Sequence, residues 1–89
     1  SPTFTLLQVY EHEGHTINHY DFYRLKNSSE LFELNFSEAV TDDVCLIEWS
    51  DKFEDILPKD RIEISFQIKS KVSRSVKITL RGKFKNQKY

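Results

Sequence analysis

Polar and apolar residues alternate along residues 3–10, give way to a polar stretch at 11–15 that contains Gly14, and alternate again along 16–25. That pattern predicts two strands joined by a turn. Side chains of a strand alternate between its faces, so Ile17, His19, Asp21, Tyr23 and Leu25 share one side of the second strand. Asn18, Tyr20, Phe22 and Arg24 share the other. Asn27, Ser28, Ser29 and Glu30 have the form of a capping box, which predicts a short helix running through Leu31 and Leu34. Asn35 suits a left-handed helix end, residues 36–40 read as a further helical turn or an irregular link, and Asp42 with Asp43 closes the loop.

Val44, Cys45, Leu46 and Ile47 form a continuous apolar run that ends in Glu48 and Trp49. A strand covered on both faces reads this way, usually a parallel one, so the run is expected at the centre of a sheet. Ser50 is positioned to cap a helix carrying Phe53, Ile56 and Leu57, and Pro58 ends it because the residue before a proline is pushed out of helical geometry. From Arg61 the alternation is strict. Ile62, Ile64, Phe66 and Ile68 share a face, as do Val76, Ile78 and Leu80 after a polar turn, which predicts an antiparallel hairpin with a solvated polar side. Residues 83–89 read as a frayed basic tail. Mixed helices and strands make the class α/β. Parallel strands need a crossover partner, and none is evident for the apolar run, so a segment N-terminal to residue 1 is expected.

Composition adds limits. The chain has 89 residues, 38% hydrophobic, 30% charged and 13% aromatic, enough bulk for the core of one small domain. The longest apolar run falls far short of the roughly 20 residues a membrane helix needs, so no membrane association is expected. Cys45 is the single cysteine and cannot form an internal disulfide. A buried reduced thiol fits a cytoplasmic setting. All fourteen acids lie between Glu11 and Glu63, whereas Lys69, Lys71, Arg74, Lys77, Arg81, Lys83, Lys85 and Lys88 stand in a C-terminal stretch without acids. Such a division marks either a surface for an anionic partner or a solvated strand face with a basic tail. Gly14 and Gly82 are the only glycines, so the phosphate-cradling pattern G-x-x-x-x-G-K-[ST] is absent from these residues.

Two acids carry most chemical interest. Asp21 lies among aromatics on a strand, and Glu48 stands at the carboxyl end of the most apolar strand, where open α/β sheets place their ligands. Four hydrophobics ending in an acid can supply a Mg²⁺ contact, although a plain strand-end carboxylate reads the same from spacing alone. His12, His15 and His19 have a superficial metal-like spacing but straddle the turn, and they read as solvated histidines. Cys45 sits inside the apolar run, away from any activating charge. Tyr20, Phe22, Tyr23 and Trp49 could stack on bases, with core packing the expected role of Tyr20 and Phe22. Trp49 is either a plug at the edge of the core or the wall of a site.

Taken in order, Ser1-Pro2-Thr3-Phe4-Thr5-Leu6, His19-Tyr20-Asp21-Phe22-Tyr23-Arg24-Leu25 and Leu46-Ile47-Glu48-Trp49, with Glu30-Leu31 and Pro58 at natural intervals, resemble the TsaE (YjeE) family. This family comprises small bacterial ATPases of the tRNA threonylcarbamoyladenosine pathway. The resemblance implies a P-loop NTPase-like mixed sheet, here a fragment with one buried central strand, two short helices and the C-terminal hairpin. Residues 1–82 would form the C-terminal part of a single ATPase domain, followed by a basic tail at 83–89. It implies ATP and Mg²⁺ as cofactors, TsaB and TsaD as protein partners, and an indirect relation to tRNA through adenosine 37. By motif, Thr3 and Thr5 belong to a switch-like segment near the nucleotide, Asp21 is the essential acid of H-x-D-x-Y-R, and Glu48 is the Mg²⁺-linked acid with Trp49 beside it. Arg74 matches a late arginine that reaches the nucleotide. Members carry a Gly-rich loop with Lys-Thr ahead of the Ser-Pro-Thr segment, and a glycine where Asn35 stands. These residues alone are therefore expected not to hydrolyse ATP, and an exposed strand edge is expected to promote self-association. The rival expectation is a non-catalytic RNA- or protein-binding module using the basic C-terminal region, whose binding would fall steeply with salt.

Overall fold

The computed structural model describes residues 6–86, in two compact units, Ser1–Leu57 and Pro58–Tyr89. In the first unit, β1 (Leu7–His12) and β2 (His15–Asp21) pair antiparallel, with His12 opposite His15 as the last pair before the turn. Glu13 (φ 49) and Gly14 (φ 80) alone make that turn. Two successive positive φ values match the right-handed twist of the flanking strands, so the strands extend into what sequence alone reads as a longer loop.

The chain then crosses through α1 (Ser29–Phe32) and α2 (Phe36–Asp42) to β3 (Val44–Glu48), which lies parallel to β2. Glu30 Oε2 accepts the backbone N–H of Lys26 and of Asn27, and Asn27 Oδ1 accepts that of Ser29, so the capping-box residues close the entry to α1. Asn35 adopts the expected left-handed conformation (φ 57, ψ 34) between the two helices. The side of β2 that carries Asn18, Tyr20 and Phe22 is buried together with Leu31, Phe36 and Ala39. Phe36 is the hub, edge-on to Tyr20 at 5.2 Å and tilted against Phe22 at 6.0 Å. The polar atoms of that side are satisfied: Tyr20 Oη donates to the Leu34 carbonyl at 3.2 Å, and Asn18 Nδ2 donates to Asp43 Oδ2 at 2.9 Å.

Three expectations are corrected here. The strand order is β1-β2-β3, so among the described residues the middle strand is β2, and the apolar run forms an edge. Val44 and Leu46 are half exposed, while Cys45 and Ile47 pack against the core. An apolar run reports side chains that can be buried, not how many strands flank them. The run also has a parallel neighbour within this chain, because β2 serves for both an antiparallel and a parallel pairing. Ser50 is not a cap: the segment is a 3-10 helix, Ser50–Ile56, with Trp49 before its first residue, no side-chain capping bond, and a break at Phe53 (φ -141, ψ 62). Leu57 is extended ahead of Pro58, as the proline requires.

The second unit is the predicted hairpin, β4 (Arg61–Ile68) with β5 (Arg74–Arg81). Its register sets Ile62 opposite Leu80, Ile64 opposite Ile78 and Phe66 opposite Val76, so the apolar residues align on one face. That face is largely exposed, with Phe66 at 74% and Ile68 at 76%. On the polar face Glu63 accepts from Arg61 Nε at 3.0 Å and Arg81 Nε at 2.6 Å, and this pairing holds its carboxyl below the usual range. Residues Gly82–Asn86 form a short 3-10 helix where fraying was expected, tied down by the Lys83 N–H donating to Asp60 Oδ1 at 2.8 Å. No helix among the described residues is long and apolar enough to cross a membrane.

Candidate functional site

The parallel register of β2 and β3 ends with Asp21 opposite Glu48. Both carboxylates therefore stand at the carboxyl ends of adjacent parallel strands, on the same face of the sheet, where an α/β sheet opens to ligands. Asp21 is nearly buried, and its Oδ1 accepts the backbone N–H of Tyr23 at 3.0 Å, which turns the chain away from the strand. The Phe22 N–H donates to the Glu48 carbonyl at 3.0 Å, so the backbone pairing runs past the two acids and holds them in register.

His19 lies two residues before Asp21 on that face, and its Nε2 sits 2.8 Å from Glu48 Oε2. An ionised carboxylate only accepts, so the imidazole proton belongs on Nε2 in this contact. His19 was read from sequence as a solvated turn residue. The alternation already put it on the face of Asp21, but its partner is 29 residues away and becomes visible only once β3 is paired.

Trp49 follows Glu48 with φ 58 and ψ 37, a left-handed conformation that is a genuine outlier for so bulky a residue. Holding it there costs on the order of 1–3 kcal/mol, a strain that persists only where surrounding contacts enforce it. Those contacts are visible. The Trp49 carbonyl accepts the Lys52 N–H at 3.3 Å, and Lys52 Nζ donates to the carbonyls of Tyr23 at 2.5 Å and Leu25 at 3.3 Å. The indole meets the Tyr23 ring at a centroid distance of 5.0 Å and an interplanar angle of 43°. Lys52 had no distinguishing mark in the sequence, because its role depends on carbonyls presented by a turn far from it in the chain.

The other sequence candidates do not join this cluster in the described structure. Thr3 and Thr5 lie outside the described residues. Arg74 opens β5 in the second unit, where its Nη1 donates to the carbonyls of Ser70 at 3.2 Å and Ser73 at 3.1 Å. Cys45 faces the core side of β3, and burial, assisted by Asp43, pushes its thiol up to about 11. Among the described residues no group of three or more His, Cys, Asp or Glu side chains is arranged to hold a metal ion. The oxygen donors of Asp21 and Glu48 nonetheless fit Mg²⁺, which commonly takes one or two carboxylates and completes its shell with water and phosphate oxygens.

The family model described as "Threonylcarbamoyl adenosine biosynthesis protein TsaE" matches residues 1–76. The chain belongs to the TsaE family. It is 46% identical over 68 residues to the Rickettsia felis tRNA threonylcarbamoyladenosine biosynthesis protein TsaE, covering 76% of this chain and 40% of that protein. The protein of the same name from Bacillus subtilis is 32% identical over 83 residues, covering 92% of this chain and 51% of that one. The crystal structure of Bacillus subtilis YdiB superposes with a TM-score of 0.66 at 26% identity, over 92% of this chain and 51% of that chain. The chain thus spans about half the length of the TsaE relatives it matches. The α/β fold with its mixed sheet is shared with YdiB across nearly all of the chain.

Proposed function

We propose that this TsaE-family chain is the C-terminal part of an ATPase of tRNA threonylcarbamoyladenosine modification, one that hydrolyses ATP to support turnover of a TsaB–TsaD complex in the cytoplasm. The observation that carries the reading is the register of Asp21 with Glu48 at the ends of two parallel strands, with His19 holding one oxygen of Glu48. Glu48 and Asp21 would hold Mg²⁺, which when bound neutralises charge on phosphate oxygens. Asp21, fixed by the Tyr23 N–H, keeps its carboxylate aimed along the strand end, and one of the two acids orients the attacking water by accepting its proton. Thr3, Thr5, Trp49 and Arg74 are assigned to the nucleotide side of the site, as the family motifs suggest. The phosphate cradle is not among these 89 residues, so these residues alone are expected to be inactive. The half-exposed Val44 and Leu46 on the edge strand β3 support self-association of the chain in isolation.

The test is Mg²⁺-dependent phosphate release by the gene product that carries this chain, mixed with TsaB and TsaD. Glu48→Gln is expected to lower kcat by about 100-fold or more, the scale of losing a positioned acid or base. Full activity of Glu48→Gln, or turnover by the isolated 89 residues, would refute the assignment.

A further inference from the structure

Tyr23 and Trp49 are in contact with each other, yet they remain 55% and 52% exposed. The aromatic residues that serve the core behave differently: Tyr20, Phe22 and Phe36 also meet ring to ring, and all three are fully buried. Packing alone therefore gives no reason for the strained backbone at Trp49 or for the lysine that ties down the turn beneath Tyr23. What those features accomplish is to hold two aromatic rings in a fixed, open arrangement beside the carboxyl ends of β2 and β3. Each ring stands within two residues of the Asp21–Glu48 pair. Lys52 Nζ is 6.0 Å from the centre of the Tyr23 ring, and its hydrogen bonds run to backbone carbonyls, so it stiffens the turn.

We infer that Tyr23 and Trp49 form a stacking platform for a nucleobase. Two wide π faces held open at a sheet end suit a flat, uncharged heteroaromatic ring, because every base offers a face to stack and needs no hydrogen-bond reading to do so. The acids next to the platform disfavour an anionic group directly upon it, so the base, not the phosphate, occupies the rings. The base can come from a mononucleotide or from an unpaired RNA strand. In the first case the inference rests on the ATPase reading and assigns the part of the nucleotide that the carboxylates do not reach.

Trp49 is the sole tryptophan, so its indole N–H gives a single resonance that reports on the platform in a ¹⁵N-labelled sample of the whole chain. Adenosine is expected to shift that resonance saturably, and ribose 5-phosphate, which lacks the base, is expected to leave it in place. Tyr23→Leu should raise the adenosine Kd about fivefold or more, whereas Tyr23→Phe, which keeps the ring, should stay near the parent value. Retained dispersion of the remaining amide signals checks that Tyr23→Leu is folded. An adenylate hexamer that binds far more tightly than adenosine identifies a strand as the source, and equal affinity identifies a mononucleotide; both support the platform. An adenosine titration that leaves the indole unmoved overturns it, as does an unchanged Kd in Tyr23→Leu. Were Mg²⁺ with ATP to shift the Glu48 amide while the indole stayed still, the platform would fall and the carboxylate reading would stand.

Discussion

Phe36 provides the most direct test of how the first unit holds its site. Its ring is almost wholly buried and meets Tyr20 at 5.2 Å, Phe22 at 6.0 Å and Phe32 at 6.2 Å. Phe36→Ala removes an aromatic side chain from a closed cluster, a change that typically costs about 3–5 kcal/mol because lost transfer energy and an unfilled cavity add together. A core of this size supplies roughly 3–5 kcal/mol in total, so the substitution consumes most of the stability of the unit. Phe36→Leu keeps much of the volume and should cost about 1–2 kcal/mol. The assay is urea denaturation followed by Trp49 emission, which reports the first unit alone because the second contains no tryptophan. With a urea dependence of about 1–1.5 kcal/mol per molar, the midpoint of Phe36→Ala should fall by about 2–3 M or the variant should be unfolded at the outset. A midpoint within about 0.5 M of the parent would mean that α2 is not packed on β2 through this ring. The argument that the crossover helices set the register of β2 and β3, and with it the Asp21–Glu48 pair, would then fail.

Two further outcomes follow from the shifted groups. Burial first, then Asp43, raises Cys45 from 9.0 to about 11, so its thiolate fraction at pH 8 is about 100-fold lower than in the unfolded chain, and thiol modification should accelerate by about that factor in denaturant. Equal rates would show an open, activated thiol. Glu63 has a depressed carboxyl, chiefly through its hydrogen bond from Arg81, so its stabilising contribution to the hairpin is present above the ordinary value of 4.5 and is lost as pH falls through the lower folded value. Acid titration of the hairpin amides should show a Glu63 midpoint below 4.5, and Glu63→Gln should abolish that step. A midpoint at or above 4.5 would mean that the arginines do not hold the carboxylate in solution.

Much of this chain was legible where the controlling interaction is local. The strict alternation from Ile62 to Ile68 and from Val76 to Leu80 leaves one hairpin register that aligns every apolar side chain, since a slip of one residue would turn them all to the other face. Asn35 and the Glu30 side chain mark helix boundaries through bonds and backbone angles only a few residues away. The two-residue period also put His19 on the face of Asp21 and Tyr20 with Phe22 on the opposite, buried one. Tertiary structure decided the rest. An apolar run such as residues 44–47 has the same pattern at the centre or the edge of a sheet, and only the pairing with β2 shows it at an edge. That pairing spans a crossover of two helices, and no local rule states its register. Without the register, His19 has no reason to meet Glu48, and Tyr23 has none to meet Trp49. The types of residue at the site are a property of the sequence, whereas their convergence depends on contacts between segments some 30 residues apart, whose closure is driven by burial of the Tyr20–Phe36 core.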